Sequence, residues 1–160
     1  MSNKTQKAAA AKTGSAPKYK QLFIKLLILG VLIVAAGVVG SRHAQISLRL
    51  GARSFEYETA RTQAEQEKGL SDRTSLPKNR AMVFAFDQPA IQCFWMKDMN
   101  FPIDMIWLDA NKTIIHIEQN VQPNTYPHAF CPHSPAKYVV EVNANTSAEA
   151  GIKVGDQVSF

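Results

Sequence analysis

The feature that most constrains this chain of 160 residues is the apolar run LFIKLLILGVLIVAAGVVG at residues 22–40. From Leu26 to Gly40 the run has no charged or strongly polar side chain. Lys25 lies near its start, where a lysine can extend its ammonium group to the lipid head groups. A helix of about 20 residues crosses the hydrocarbon core of a bilayer. We therefore predict a transmembrane anchor at residues 22–40.

The segment ahead of this run, residues 1–21, determines the expected orientation. Six lysines fall within the first 25 residues, with no acidic residue among them. The composition of residues 1–21 cannot bury enough apolar surface to offset the entropy of ordering, so we predict a disordered tail. Lysine clusters remain on the cytoplasmic side of a membrane. The prediction is a single-pass protein of the cell membrane, with a cytoplasmic N-terminus and its C-terminal domain outside the cytoplasm.

Two other interpretations of residues 22–40 remain open, a cleaved signal peptide and a buried core helix. A signal peptide usually has an apolar part of 7–15 residues that ends at an A-x-A-like cleavage site. Here the basic segment is long, and Ser41-Arg42-His43 does not fit that pattern. The sequence favours an uncleaved anchor.

The positive charge of the chain belongs to its tail. The whole chain has 18 basic and 13 acidic side chains, but residues 26–160 have 12 basic and 13 acidic ones. A nucleic-acid-binding domain carries its basic patch on the folded part. We therefore predict no nucleic-acid partner, and the membrane is the expected partner of residues 22–40.

Short strand-like segments and turn signals dominate the rest of the chain. Residues 41–52 look like a linker that leads into the first strand, and Thr62 and Glu65 form a capping-box pattern that predicts a helix from 63 to about 70. Residues 120–137 form a long loop with four prolines. The predicted strands are 53–60, 81–86, 92–97, 104–109, 113–118, 138–143 and 157–160. This predicts an α+β, mainly β fold: an N-terminal transmembrane helix, then one small barrel- or sandwich-like domain at 53–160 with one short helix.

Six short patterns in this part occur in a characteristic order. They are Glu67-Lys68-Gly69-Leu70, Met82-x-Phe84-x-Phe86, Phe94-Trp95-Met96-Lys97, Pro102-x-Asp104-x-Ile106, Tyr138-x-x-Glu141-Val142-Asn143-Ala144 and Gly151-Ile152-Lys153-x-Gly155-Asp156. Together they resemble the family called "domain of unknown function 192" over roughly residues 53–160. The resemblance implies a compact, mainly β domain, often behind a signal or anchor. It brings no established activity.

The chain departs from the usual pattern of that family at four places. Ser71 stands where the family usually has Met, Ala81 replaces a usual Gly, Asp98-Met99 replaces Asn-Thr, and Asn145 replaces Gly.

The first candidate site is the segment Phe94–Asp98. If it is a strand, Phe94, Met96 and Asp98 share one face and Trp95 and Lys97 share the other. One interpretation is a half-buried strand in which the lysine stem covers Trp95. The functional interpretation is a pocket wall, with Trp95 as an aromatic platform and Lys97 as an anchor for an acidic group.

Three further charged residues are candidates for the same pocket. Asp104, which follows Pro102, either accepts backbone N–H groups at a turn or pairs with Lys97 or Arg73. Glu141 lies in YVVEV, with Val139 on its own face. It either joins this cluster or faces water.

The two cysteines, Cys93 and Cys131, are 38 positions apart. Outside the cytoplasm they could form a disulfide, which is the favoured interpretation. Free buried thiols are a second interpretation. A metal site at His128, Cys131 and His133 is a third, although the spacing is not a standard one. We predict no metal and no cofactor.

Three functions fit these residues. The favoured one is a membrane-anchored extracytoplasmic domain that binds a small polar or acidic ligand or serves as an envelope accessory module. The second is an enzyme of hydrolase or transferase type that uses a carboxylate of the same cluster. The third is a protein–protein interaction module that binds another envelope protein. The sequence leans away from catalysis, because no spacing singles out a catalytic triad.

Overall fold

The computed structural model describes residues 47–160. The predicted tail at 1–21, the predicted anchor at 22–40 and the first part of the predicted linker lie outside the described residues. None of the helices within residues 47–160 has the length and hydrophobicity that a membrane span requires.

The described residues form eight strands and three short helical segments. In chain order these are β1 (Ser47–Leu50), β2 (Arg53–Ala60), α1 (Gln63–Lys68), β3 (Arg80–Ala90), β4 (Phe94–Trp95), β5 (Ile103–Leu108), β6 (Ile114–Val121), a 3-10 turn (Pro123–Thr125), β7 (Ala129–Phe130), β8 (Ala136–Asn143) and α2 (Thr146–Glu149). The predicted α+β, mainly β class is confirmed. The strand at 53–60 has the predicted bounds, and β1 forms within the predicted linker.

Six of the strands form one mixed sheet with the order β1-β2-β3-β8-β5-β6. The β2–β3 pair is parallel, and every other neighbouring pair in this sheet is antiparallel. The C-terminal segment bridges to both edges, through Arg49 with Ser159 and Thr113 with Gln157. These bridges link the two edges in a barrel-like manner. The prediction of a strand at 157–160 was wrong, because this segment makes two isolated β-bridges and no continuous ladder.

The sheet separates two apolar cores, since successive side chains of a strand point to opposite faces. In β3, Ala81 and Val83 belong to the first core, and Met82 and Phe84 belong to the second. The first core also includes Leu48, Leu50, Phe55, Ile106, Leu108, Ile114, Val140, Val142, Ile152 and Val158. The second core also includes Ala60, Leu70, Leu76, Met96, Ile103, Met105, Trp107, Val121, Ala136 and Val139.

Helix α1 lies in the crossover that joins the parallel strands β2 and β3. Its capping box is formed as predicted: the Thr62 hydroxyl accepts the Glu65 N–H at 3.3 Å, and the Glu65 carboxylate accepts the Thr62 N–H at 2.9 Å. The helix ends before the predicted residue 70 because Gly69 takes a positive φ of 46°. A Cβ at this position would lie 3.1 Å from the Phe84 ring. Gly69 therefore allows the end of the helix to approach β3 closely.

The predicted strand at 92–97 is shorter in the structure, where only β4 (Phe94–Trp95) is regular. The inward position of Met96 is confirmed, since its exposed fraction is 1%, against 56% for Trp95. The chain then turns through Asp98, whose φ is +55° and whose carbonyl accepts the Asp72 N–H at 2.7 Å. This turn carries the side chains of Lys97 and Asp98 to the surface, so Asp98 does not share the inward face.

Asp104 is fully buried in β5 and stabilises a corner of the fold. Its carboxylate accepts the backbone N–H groups of Asn120, Asn145 and Ser147 at 2.8–2.9 Å, and the Ser147 hydroxyl at 2.5 Å. One side chain thus joins β5 to β6 and to α2. The interpretation of Asp104 as an acceptor of backbone N–H groups was right, and its pairing with Lys97 or Arg73 was wrong.

We expect Asp104→Asn to lower the free energy of unfolding by about 3 kcal/mol. The neutral amide removes the charge from these hydrogen bonds, and its NH2 group would face backbone N–H groups that also donate. Urea denaturation monitored by circular dichroism measures the change. The matched control is Asp98→Asn at an exposed, positive-φ position that asparagine adopts readily. Equal stability of the two variants would contradict the assigned role of Asp104.

Candidate functional site

A cavity of about 230 Å³ lies between α1, the end of β3 and β4. Its apolar lining comes from Leu70, Phe84, Phe86, Phe94 and Met99. Its other lining residues are Gln63, Gln66, Glu67, Lys68, Gly69, Ser71, Gln92, Cys93, Trp95 and Glu141. The site therefore combines aromatic walls with polar side chains supplied mainly by the crossover helix.

Edge-to-face aromatic contacts hold the wall of this cavity. The Phe94 ring lies 4.8 Å from that of Phe84, 6.4 Å from that of Phe86 and 6.1 Å from that of Trp107. Contacts of this kind stabilise aromatic pairs beyond the area they bury. Trp95 is more than half exposed at the rim, and its ring centroid lies 6.1 Å from that of Tyr126. The wall is fixed by packing, while Trp95 offers a free aromatic surface.

A disulfide between Cys93 and Cys131 fastens this wall to the proline-rich loop. The bond confirms the favoured interpretation of the two cysteines. It flanks the short β4–β7 ladder, in which Phe94 pairs with Phe130 and Trp95 pairs with Ala129. Because Cys93 also lines the cavity, the disulfide is part of the site.

Glu141 is the one acidic side chain of the cavity lining that is buried. It lies on β8 between Met82 of β3 and Met105 of β5, and its exposed fraction is 5%. Its Oε2 atom is sealed from water and has no hydrogen-bond partner in the described residues. Burial raises the pKa of Glu141 to about 8, although the charge of Arg73 acts to lower it. The carboxyl group is therefore mostly protonated at pH 7.

Arg73 does not form an ion pair with Glu141, because Glu58 engages its guanidinium. The two Arg73–Glu58 hydrogen bonds are 2.6 and 3.0 Å long. This pair lowers the pKa of Glu58 through the Arg73 hydrogen bonds and raises the pKa of Arg73 in turn. Arg73 thus acts on Glu141 through its charge alone.

The structure brings together only part of the predicted site. Trp95 and Glu141 line the cavity, and Arg73 acts on Glu141 electrostatically. Lys97 and Asp98 are exposed residues outside the lining, since the chain turns after β4. Asp104 lies across the sheet from Glu141: it pairs with Val142, so the parity of the strands places the two carboxylates on opposite faces.

The alternative metal set is not assembled in the described part of the chain. The Cys131 sulfur is bonded to Cys93. The His128 ring lies against Phe130 at 4.6 Å, and the His133 ring lies against His116 at 5.4 Å. Among residues 47–160, no group of three or more His, Cys, Asp or Glu side chains is placed to hold a metal ion.

Sequence reasoning missed the contribution of helix α1. None of its six residues is buried, so no apolar stripe marked the face that borders the cavity. The available signal was Gly69 directly after the helix, because a positive-φ residue there permits close contact with Phe84.

Fold and site together define a small mixed β domain with a crossover helix beside an aromatic cavity. The profile of the family DUF192, described as an uncharacterized ACR, matches residues 46–160. The chain belongs to this family, as its six sequence patterns indicated.

Two solved structures are similar to this chain. One is a protein of unknown function from Novosphingobium aromaticivorans DSM 12444, with 32% identity, coverage of 71% of this chain and 82% of that one, and a TM-score of 0.66. The other, from Sinorhizobium meliloti 1021, is described as a proposed transcription regulator, with 27% identity, coverage of 71% and 89%, and a TM-score of 0.66. No curated protein matches the chain.

We expect Glu141 to make the domain less stable as the pH rises. Its pKa is about 8 in the folded protein and 4.5 as the ordinary value, so between these pH values the folded state binds the extra proton. Its contribution to the free energy of unfolding falls through this window by on the order of 4 kcal/mol. Urea titrations at pH 5 to 8 should show Glu141→Gln gaining stability over the wild type as the pH rises.

The control is Glu67→Gln, an exposed acid in the same lining, whose difference from the wild type should stay nearly constant with pH. Parallel pH profiles for the wild type and Glu141→Gln would show that Glu141 has an ordinary pKa.

Proposed function

We propose that this protein is a membrane-anchored, extracytoplasmic binding domain whose cavity takes a small ligand with an apolar body and a polar head group. The observation that carries the proposal is Glu141, a buried residue in the lining of an aromatic cavity whose Oε2 atom has no hydrogen-bond partner among residues 47–160. The apolar body would lie against the aromatic wall, and the head group would bond to the carboxyl.

Energetics supports a ligand at this position. A buried polar atom left without a hydrogen bond costs about 1–3 kcal/mol. A buried acid with a strongly shifted pKa, located in a cleft, is a physical marker of a functional site. Leucine or methionine at position 141 would fill the same volume without this cost. The carboxyl is therefore better explained by binding than by folding.

The prediction of an acidic ligand is no longer supported, because it depended on Lys97, which lies outside the cavity lining. The accessory-module form of the proposal keeps its support. Ile91, Trp95 and Tyr126 are large apolar side chains with exposed fractions of 46–56%. Trp95 and Tyr126 are in ring contact at the cavity rim, where an envelope protein could also bind.

General acid catalysis is the second candidate function, favoured by the pKa of about 8 at Glu141. Catalysis also needs a second group free to act on the reacting atoms. In the lining, the Lys68 ammonium is paired with Asp72, and the Ser71 hydroxyl donates to the Lys97 carbonyl at 2.9 Å. Binding is thus the better supported function.

Nucleic acid is not part of the proposal, although the Sinorhizobium relative is described as a proposed regulator. Residues 26–160 carry 12 basic and 13 acidic side chains, and this balance does not favour a phosphate backbone.

We expect small aromatic fragments to bind the full-length protein in this cavity. Saturation-transfer NMR with a set of cationic, neutral and anionic fragments measures the binding. Trp95→Ala should reduce the signals several-fold with little loss of stability, because the side chain is more than half exposed.

The matched control is Val154→Ala, which also shortens an exposed apolar residue but lies outside the cavity lining. It should bind as the wild type does. The binding proposal fails if no fragment binds, or if both variants bind equally well.

We expect both cysteines to be blocked in the native membrane, because the disulfide belongs in an oxidising compartment. Acid quenching followed by a mass-tag gel shift should show no tag before reduction and two tags after it. The variant Cys93→Ser, which frees Cys131, should show one tag without reduction. Two free thiols in the wild type would contradict the extracytoplasmic location.

A further inference from the structure

Hydrogen bonds made by the side chains of helix α1 determine which of their atoms can face the cavity. The Gln66 amide nitrogen donates to the carbonyl oxygens of Ala85 at 3.0 Å and Arg61 at 3.3 Å. Carbonyl oxygens only accept, so the nitrogen must be the atom on that side. What Gln66 can offer to a ligand is therefore its own amide oxygen, an acceptor.

The preceding turn of the helix also offers hydrogen-bond acceptors. The Gln63 amide nitrogen donates to one oxygen of the Glu67 carboxylate at 2.8 Å. This bond leaves the Gln63 amide oxygen and the second Glu67 oxygen to a ligand. Together with Glu141, four side chains of the lining have oxygens that can accept hydrogen bonds.

The donors of the same lining are mostly engaged. The Lys68 ammonium is bound to the Asp72 carboxylate, and the Ser71 hydroxyl donates to the Lys97 carbonyl. The side-chain N–H groups of Gln92 and Trp95 are neutral donors. The charge that the lining can offer to a ligand is thus negative, from Glu67 and from Glu141 when it ionises.

We propose that the ligand is a small primary amine bound in its ammonium form, with the ammonium paired to Glu141 and an apolar body against Phe84, Phe94 and Trp95. This inference rests on the proposed binding function and names its ligand class. An ammonium group supplies three donors to an acceptor-rich site. Aromatic rings also attract a cation through their π faces.

Binding of this kind is linked to proton release. Below pH 8 the Glu141 carboxyl gives its proton to the buffer, and the resulting carboxylate pairs with the ammonium. Three charged groups lie around Glu141. Arg73 is paired with Glu58, and Glu67 and Lys68 lie at the rim of the cavity. The affinity for an amine therefore increases with pH up to about 8, whereas a neutral ligand shows no such increase.

Three probes of similar size separate the ligand classes: 2-phenylethylamine, 2-phenylethanol and phenylacetate. Calorimetric titration of the full-length protein in detergent should give about tenfold tighter binding of the amine than of the alcohol at pH 8. Affinity for the amine should increase about tenfold from pH 6 to pH 7. Titrations at pH 7 in buffers of different ionisation heat should detect about one released proton per bound amine.

Glu141→Gln is the decisive variant, because it keeps the shape of the side chain and removes its charge. It should weaken amine binding at pH 8 about tenfold, remove the pH dependence, and leave the affinity for 2-phenylethanol within about threefold. Detergent partitioning is the same for both proteins and cancels in this comparison.

Each of the other outcomes contradicts either the amine inference or the binding function as well. If the alcohol or phenylacetate binds as tightly as the amine, or if Glu141→Gln keeps the pH dependence, the amine inference is wrong and the binding function stands. If none of the three probes binds, both are wrong.

Discussion

The alternation of side chains along β8 controls the rest of this structure. The strand is covered on both faces, with Val140 and Val142 in one core and Val139 in the other. A shift of one residue in its register would exchange these faces and bury the wrong groups. The same parity places Glu141 on the side of the crossover helix and the cavity. The location of the cavity carboxyl is thus a consequence of the pairing that forms the cores.

Two carboxyl groups are buried within residues 47–160, and their surroundings differ. Asp104 receives four hydrogen bonds, three of them from backbone N–H groups, so its charge is solvated by the fold. Glu141 has methionines in register on both neighbouring strands, and its Oε2 atom has no hydrogen-bond partner in the described part of the chain. Its burial therefore disfavours ionisation. Only the second group has bonding capacity to spare. This contrast separates a residue that holds the fold together from one suited to act on a ligand.

Local signals in the sequence predicted much of the fold. The bounds of β2, the capping box at Thr62 and the burial of Met96 follow from periodicity and short-range hydrogen bonding. The site was predicted less well, because it depends on which strands become neighbours. Nothing local indicates that Asp104 pairs with Val142, or that Arg73 is taken up by Glu58. Trp95 and Glu141 both line the cavity, as expected for one pocket, but the predicted helix was not expected to border it.

The crossover between β2 and β3 has a further consequence. A parallel pair of adjacent strands requires a connection that passes over one face of the sheet, and α1 is the helical part of that connection. Since none of its residues is buried, the side chains that face the cavity contribute little to the cores. The polar side chains at the rim of the cavity are therefore encoded apart from the sheet, which supplies Glu141 and Phe84. An engineer could therefore change residues 63–67 to alter the charge and hydrogen bonding of the rim while leaving the barrel-like sheet untouched.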